Sequence, residues 1–183
     1  MTYPLQPSFI KTIPDGDTHS RAVCENCGFV NYQNPRIVVG SVVRHAGSIL
    51  LCRRAIEPRR GYWTIPAGYL ELHETPEDGA RREAREEANA DLQLSGLLAV
   101  YSVPHLSQVQ LIYRAVLANP QFSAGEESLE LALFKWDEIP WKDIAFPTVH
   151  WALGHDRMVE EEGASGPFGN LEGESTALRD HDG

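Results

Sequence analysis

The chain is short of several things that mark large protein classes. Cysteine occurs three times in 183 residues, as Cys24, Cys27 and Cys52, which is too few for a disulfide framework and fits a reducing compartment. No stretch approaches the roughly 20 apolar residues of a membrane span, and the amino terminus lacks the basic-then-apolar layout of a secretory signal. We therefore expect a soluble, cytoplasmic protein with no membrane partner. Basic clusters are missing too: the formal net charge is −10. A phosphate-backbone binder needs a basic surface, so nucleic acid is expected as no partner. Residues 160–183 hold seven acids against Arg179 and carry −6 of that charge, leaving −4 for residues 1–159. No internal repeat is present, and the length suits one hydrophobic core.

What the chain does have is a dense acidic segment over residues 68–89. Thr75 is placed to cap a helix, Pro76 suits the first helical position, and Asp78 stands where a capping-box acid belongs. The helix is expected to run about thirteen residues and to close at Asn89, which tolerates the left-handed conformation. At about 100° per residue its side chains sort into three arcs. Ala80, Ala84 and Ala88 let the backbone lie close to a sheet, while Arg81, Arg82 and Arg85 face solvent or pair with Glu74 and Asp78. Glu83, Glu86 and Glu87 form the third arc, with carboxylates roughly 5 to 6 Å apart and no lysine between them to offset a few tenths of a kcal/mol per like-charge pair. A divalent cation removes that cost, and clustered carboxylate oxygens suit magnesium or manganese. The competing reading is a solvated acidic helix face.

Residues 1–35, with Pro4, Pro7, Pro14 and Pro35, read as an extended, loop-rich segment. Within it Cys24 and Cys27, followed by Gly28, have the spacing of one zinc knuckle. A structural zinc wants four ligands; the chain has no second Cys-x-x-Cys, and His19 is a candidate third ligand. The expectation is a degenerate ribbon without zinc at Cys24 and Cys27.

Residues 37–44 and 48–53 predict a β-hairpin turning at Ala46 and Gly47, with Cys52 in the core. Arg36, Arg53 and Arg54 lie at strand ends where cations can meet phosphate. Residues 62–68 read as a short strand feeding the acidic segment, with Trp63 in the core and Tyr62 or Tyr69 able to stack a base. Two further strands, 92–103 and 109–118, flank a loop whose His105 and Gln108 are candidate polar contacts. For each of these the alternative is ordinary solvation. Glu127 and Glu130 belong to a second acidic cluster, ahead of a strand over 131–136. Residues 148–159 predict a closing helix with Val149, Ala152 and Leu153 on its apolar face. Beyond residue 160 the composition predicts disorder.

The order Gly68, five residues, Glu74, seven residues, Arg82-Glu83, two residues, Glu86-Glu87 resembles the Nudix box, the signature of hydrolases acting on nucleoside diphosphates linked to another moiety. Asn89 stands where glycine is usual and Ala90 where a larger aliphatic is usual; neither departure touches a carboxylate. With Cys24-x-x-Cys27, Asn34-Pro35, Trp63, Pro66-Ala67-Gly68, Glu127, Glu130 and Ile139-Pro140, the chain is similar to the zinc-ribbon branch that includes plant chloroplast FAD and ADP-ribose pyrophosphatases. The tryptophan- and proline-rich run of the NADH pyrophosphatases is absent after the box.

That resemblance implies an α/β fold, a Nudix α/β/α sandwich with a mixed sheet over residues 36–159, after the ribbon-like segment 1–35 and before the acidic tail 160–183. It implies magnesium or manganese at Glu83, Glu86 and Glu87, with Glu86 also catalytic and Glu127 or Glu130 as general base. Gly68, Glu74 and Arg82 would support the loop and helix; Arg36, Arg53, Arg54, Tyr69 and Gln108 remain the substrate-contact candidates. A homodimer and magnesium-dependent cleavage of ADP-ribose or FAD, releasing AMP, are expected. The alternatives are NADH, a nucleotide sugar or a nucleoside triphosphate as substrate, or a catalytically silent nucleotide-binding protein.

Overall fold

In the computed structural model, which describes residues 8–174 and residue 176, the chain forms two units, residues 1–35 and 36–183. The first holds an antiparallel sheet of β1 (Phe9–Thr12), β2 (Arg21–Cys24) and β3 (Val30–Asn31) in that order. The loop-rich lead-in is thus corrected to a small sheet. Its β1–β2 turn is built by Asp17, which takes a 2.9 Å hydrogen bond from Arg21 Nε and others from the Thr18 and His19 N–H groups. Foremost the Arg21 contact holds the Asp17 carboxyl down at about 2. An aspartate that bonds its own downstream backbone is ordinary turn chemistry, and it replaces the apolar periodicity that would have announced strands.

The second unit is built on strands β4 (Arg36–His45), β5 (Ser48–Arg54), β6 (Trp63–Thr64), β7 (Ala67–Tyr69), β8 (Leu92–Val103), β9 (Gln108–Leu117) and β10 (Ser128–Phe134). Their order is β10-β5-β4-β9-β8, with β6 on β5 and β7 on β4. β4 and β9 run parallel and the other pairs antiparallel, so the sheet is mixed. Alternation along the strands sorts residues to opposite faces. Val43, Leu50 and Cys52 meet Ala84 and Ala88 of helix α1 (Pro76–Ala88), while Val42, Ile49 and Leu51 meet Val149, Ala152 and Leu153 of helix α2 (Pro147–Glu162). The result is an α/β/α sandwich. Each fully buried leucine or valine side chain contributes roughly 1.5–3 kcal/mol.

Three segments differ from expectation. The β4–β5 hairpin pairs only beside its turn, Val43–His45 with Ser48–Leu50, and then opens. The single strand read over 62–68 is instead two pieces filling that opening, β6 against Cys52 and Arg53 and β7 against Val38–Gly40. Pro66, which has no N–H to give, marks the crossing between them. β10 begins at Ser128 rather than 131, with a register shift between Ser128 and Glu130.

A further correction concerns the segment from residue 160, expected to be structureless. α2 runs on to Glu162 and is closed by Gly163 at φ 67°. The chain then returns along β8: the Phe168 N–H donates to Leu98 O and its carbonyl accepts from Val100 N, both at 2.8 Å. The Phe168 ring stacks on His155 at 4.4 Å, and the Asn170 side chain bonds the Ser102 backbone in both directions. One aromatic anchor and one amide offset the ordering entropy that the composition alone would leave unopposed. Residues 175 and 177–183 of the expected tail lie outside the described residues.

Candidate active site

Local sequence sets α1 where its side chains can converge. Thr75 Oγ1 accepts the Asp78 N–H at 3.1 Å, Pro76 opens the helix, and Asn89 closes it at φ 46°, ψ 35°. Ala80, Ala84 and Ala88 are fully buried, so the helix lies close against the sheet and carries two of the three glutamates inward. Glu83 is 8% and Glu87 6% exposed, whereas Glu86 faces outward. Glu83 fills the space over Gly68: a Cβ there would lie 2.4 Å from Glu83 Oε2. A side chain at position 68 would displace the Glu83 carboxylate from that place.

Arg82 is the hub. Its Nε and Nη2 donate to the two Glu74 oxygens at 3.0 and 2.8 Å, a bidentate grip that holds the Glu74 carboxyl below its usual range. Nη2 also reaches Tyr69 O at 2.9 Å, and Nη1 reaches Glu83 Oε1 and Glu86 Oε2 at 2.7 and 2.8 Å. The repulsion expected between Glu83 and Glu86, with no lysine between them, is therefore offset by an arginine. Arg82 belongs to a different arc by angle, but its long side chain spans the gap.

Glu87 is left outside that arrangement. Its Oε2 accepts the Ala67 N–H at 3.1 Å. Burial pushes its carboxyl up to about 8; the charges of Glu83 and Glu127 push the same way, and the Ala67 N–H and the Arg54 charge oppose them. Burial raises Glu83 as well, with Arg82 working against it and Glu86 and Glu127 adding to it. Glu127 is thus close enough for its charge to act on both. Glu130, the other base candidate, sits on β10 and meets Arg53 Nη1 at 3.4 Å.

The remaining candidates fall into two groups. Arg53 Nε donates to Gly61 O and Arg54 Nε to Pro58 O, and the Arg54 guanidinium lies 5.2 Å from the Phe146 ring centre. Arg36, Tyr69 and Gln108 come together elsewhere: the Arg36 guanidinium lies 4.9 Å over the Tyr69 ring, and Gln108 Nε2 donates to Tyr69 Oη at 3.0 Å. The Tyr69 carbonyl held by Arg82 links this group to the carboxylates. His105 contacts Thr176 instead.

Two features were missed. The Ala67 N–H acts through the backbone and leaves no side-chain signal. Gly125 is the second: its N–H donates to Glu87 O at 3.0 Å, and a Cβ on it would lie 1.7 Å from Glu86 O. The sole hint was a glycine heading the second acidic cluster.

The donor set suits a hard divalent cation. Buried, mutually repelling carboxylate oxygens over a glycine that leaves them room are what magnesium or manganese satisfies. Among the described residues no three His, Cys, Asp or Glu side chains are gathered as a ready-made metal group, and Arg82 bonds both Glu83 and Glu86. At the ribbon, Cys24 and Cys27 form no disulfide, and among the described residues no third His, Cys, Asp or Glu side chain is gathered with them.

Comparison with known proteins bears on the family of the chain. A family model described as the NUDIX domain matches residues 34–152, and one described as Nudix N-terminal, a zinc-ribbon family, matches residues 8–33. The chain belongs to the NUDIX family. A NUDIX hydrolase from Nitrosomonas europaea is 45% identical, covers 92% of this chain and 98% of its own, and superposes with a TM-score of 0.82. An ADP-ribose pyrophosphatase from Methanocaldococcus jannaschii is 26% identical over 134 residues, 71% of this chain and 74% of that protein. A MutT-like protein from Streptomyces ambofaciens is 35% identical over 102 residues, 56% of this chain and 64% of its own length. This Nudix hydrolase carries the full set of box acids, Glu74, Glu83, Glu86 and Glu87. Among its described residues no helix is long and apolar enough to cross a membrane.

Proposed function

We propose that this Nudix hydrolase is a pyrophosphohydrolase that cleaves the diphosphate of ADP-ribose or FAD and releases AMP. The carrying observation is the pair of buried carboxylates, Glu83 and Glu87, held beside the Gly68 turn, with no guanidinium in ion-pair contact with Glu87 among the described residues. The similarity to an ADP-ribose pyrophosphatase supports the substrate class.

Glu83, Glu86 and Glu87 would hold magnesium. When bound, it neutralises the diphosphate and acidifies water. Arg82 and Glu74 brace the loop against the helix so that the three carboxylates keep their spacing. Glu127 takes the proton from the attacking water, because its charge already bears on Glu83 and Glu87, whereas Glu130 is occupied by Arg53. The water oxygen bonds to phosphorus as the anhydride P–O bond breaks, giving AMP and a second phosphomonoester. Arg54, whose charge reaches Glu87, meets the phosphates, with Arg53 beside it. Tyr69 offers a ring steadied by Arg36 and Gln108, suited to stacking a base or isoalloxazine. The active form is a homodimer in a reducing, cytoplasmic compartment.

The test is AMP release from a panel of ADP-ribose, FAD, NADH, nucleotide sugars and nucleoside triphosphates with magnesium. Preference for ADP-ribose or FAD is the expected result. Preference for a triphosphate, or no hydrolysis of any member, refutes it.

A further inference from the structure

An α-helix ends with carbonyls that have no N–H partner of their own. At the end of α1 two of these are taken by a crossing strap, residues 123–125. The Ser123 N–H donates to Ala88 O at 2.9 Å and the Gly125 N–H to Glu87 O at 3.0 Å. The strap lies so near the helix that no residue with a Cβ fits at Gly125 without moving it. Three residues on, the Ser128 N–H returns to Gly125 O at 3.1 Å, closing a turn that contains Glu127, and Glu127 O accepts the Ala55 N–H at 2.8 Å. The backbone carrying Glu127 is therefore pinned to the helix that carries Glu83 and Glu87.

Asn89 sits at the corner of this arrangement. Its backbone is left-handed, a conformation glycine adopts without strain, so the turn alone gives no reason for a side chain. The side chain has a separate use: Nδ2 donates to Ser123 O at 3.1 Å and to Ala124 O at 3.4 Å. The strap thus gives its N–H groups to the helix and its carbonyls to Asn89. We infer that Asn89 is a positioning residue, whose side-chain amide clasps the 123–125 strap and so fixes Glu127 against the Glu83–Glu87 pair. The inference rests on the reading of Glu127 as the base and adds a residue that acts through it.

Asn89→Gly keeps the turn and removes the clasp. Asn89→Asp tolerates the same backbone but cannot donate, and it faces two carbonyls with a charge. In the full chain, amide hydrogen exchange at Ser123 and Gly125 is expected to speed up about tenfold in both variants, the scale of one lost hydrogen bond, with Ala84 unchanged. With magnesium and whichever of ADP-ribose or FAD releases AMP, kcat should fall about tenfold at unchanged KM. In a Glu127→Gln background the same substitutions should cost less than about twofold, because the group being positioned is gone. Unchanged exchange at Ser123 and Gly125, or an equal loss of kcat in both backgrounds, overturns the inference while leaving the hydrolase reading intact. Wild-type turnover in Glu127→Gln alone removes Glu127 as the base and overturns the inference with it, while the turnover itself upholds the hydrolase reading.

Discussion

Two acids are buried on opposite faces of one sheet, and the chain treats them differently. Asp156 on α2 is fully buried and lies between Arg44 Nε of β4 and Arg114 Nε of β9, 2.6 Å from the latter. Glu160 joins the same arginines from one turn on. Glu87 on α1 is nearly as deep, yet its hydrogen bond is to a backbone N–H, and among the described residues no guanidinium is in ion-pair contact with it. A buried charge costs several kcal/mol unless it is paired. Asp156 finds its cations within the chain, whereas Glu87 is the acid that the proposed magnesium would pair. Burial of an acid therefore marks no site by itself; burial with incomplete neutralisation does.

The sharpest way to break this contrast is to neutralise each acid in turn. Glu87→Gln is expected to abolish turnover, a loss of at least about a thousandfold, with the fold intact. Wild-type turnover in that variant, by the AMP-release assay, would falsify the assignment of Glu87. Asp156→Asn should do the reverse. It leaves two half-buried arginines short of a partner and is expected to cost about 3 kcal/mol in urea unfolding, while kcat of the folded enzyme stays within about twofold. A stable Asp156→Asn protein with collapsed activity would mean that the two faces are not the separate devices described here.

The two regions also differed in how far they could be read in advance. α1 was legible to its last residue because its signals are local: Thr75, Pro76 and Asn89 each act on their own turn. The acids at Glu83 and Glu87 followed from that helix and the spacing to Gly68. The reach of Arg82 was not legible, since angular position on a helix does not say where a long side chain ends. On the other face, Asp156 is joined to Arg114 and Arg44 across 42 and 112 residues, and no periodicity encodes such a pairing. The return of Phe168 along β8 was hidden by the glycine, serine and glutamate around it. Glu127 and Glu130 could not be ranked, because one lies in the turn before β10 and the other beyond a register shift in it, and neither feature leaves a local signal in the sequence.

A third buried titratable group extends the comparison to pH. His155 on α2 is 5% exposed, its Nδ1 is 2.7 Å from Tyr101 Oη, and burial lowers its pKa from the usual value. Below about pH 6.5 the unfolded chain takes up a proton at this position more readily than the folded protein does. The contribution to stability is thus present above that pH and is lost as pH falls through the folded value, at up to about 1.4 kcal/mol per pH unit. Urea melts at pH 7 and 5.5 should show wild type losing more stability than His155→Gln; an equal loss in the two removes His155 as the cause.

The smallest expected effect concerns how the two helices begin. α1 starts with a side-chain cap from Thr75, whereas the N-cap of α2, Phe146, makes no side-chain cap hydrogen bond. α2 can do without one because Val149, Trp151, Ala152 and Leu153 are buried in the larger core cluster. α1 buries alanines and acids, which return less free energy per residue than leucine or tryptophan, so more of its stability must come from its ends. Thr75→Ala should therefore destabilise the protein by about 1 kcal/mol and Thr75→Ser by only a few tenths, read as a shift in urea midpoint. Because the cap lies a full helix away from Glu87, kcat measured under folding conditions should not move. A Thr75→Ala protein as stable as wild type would show that α1, like α2, is held by its packed face alone.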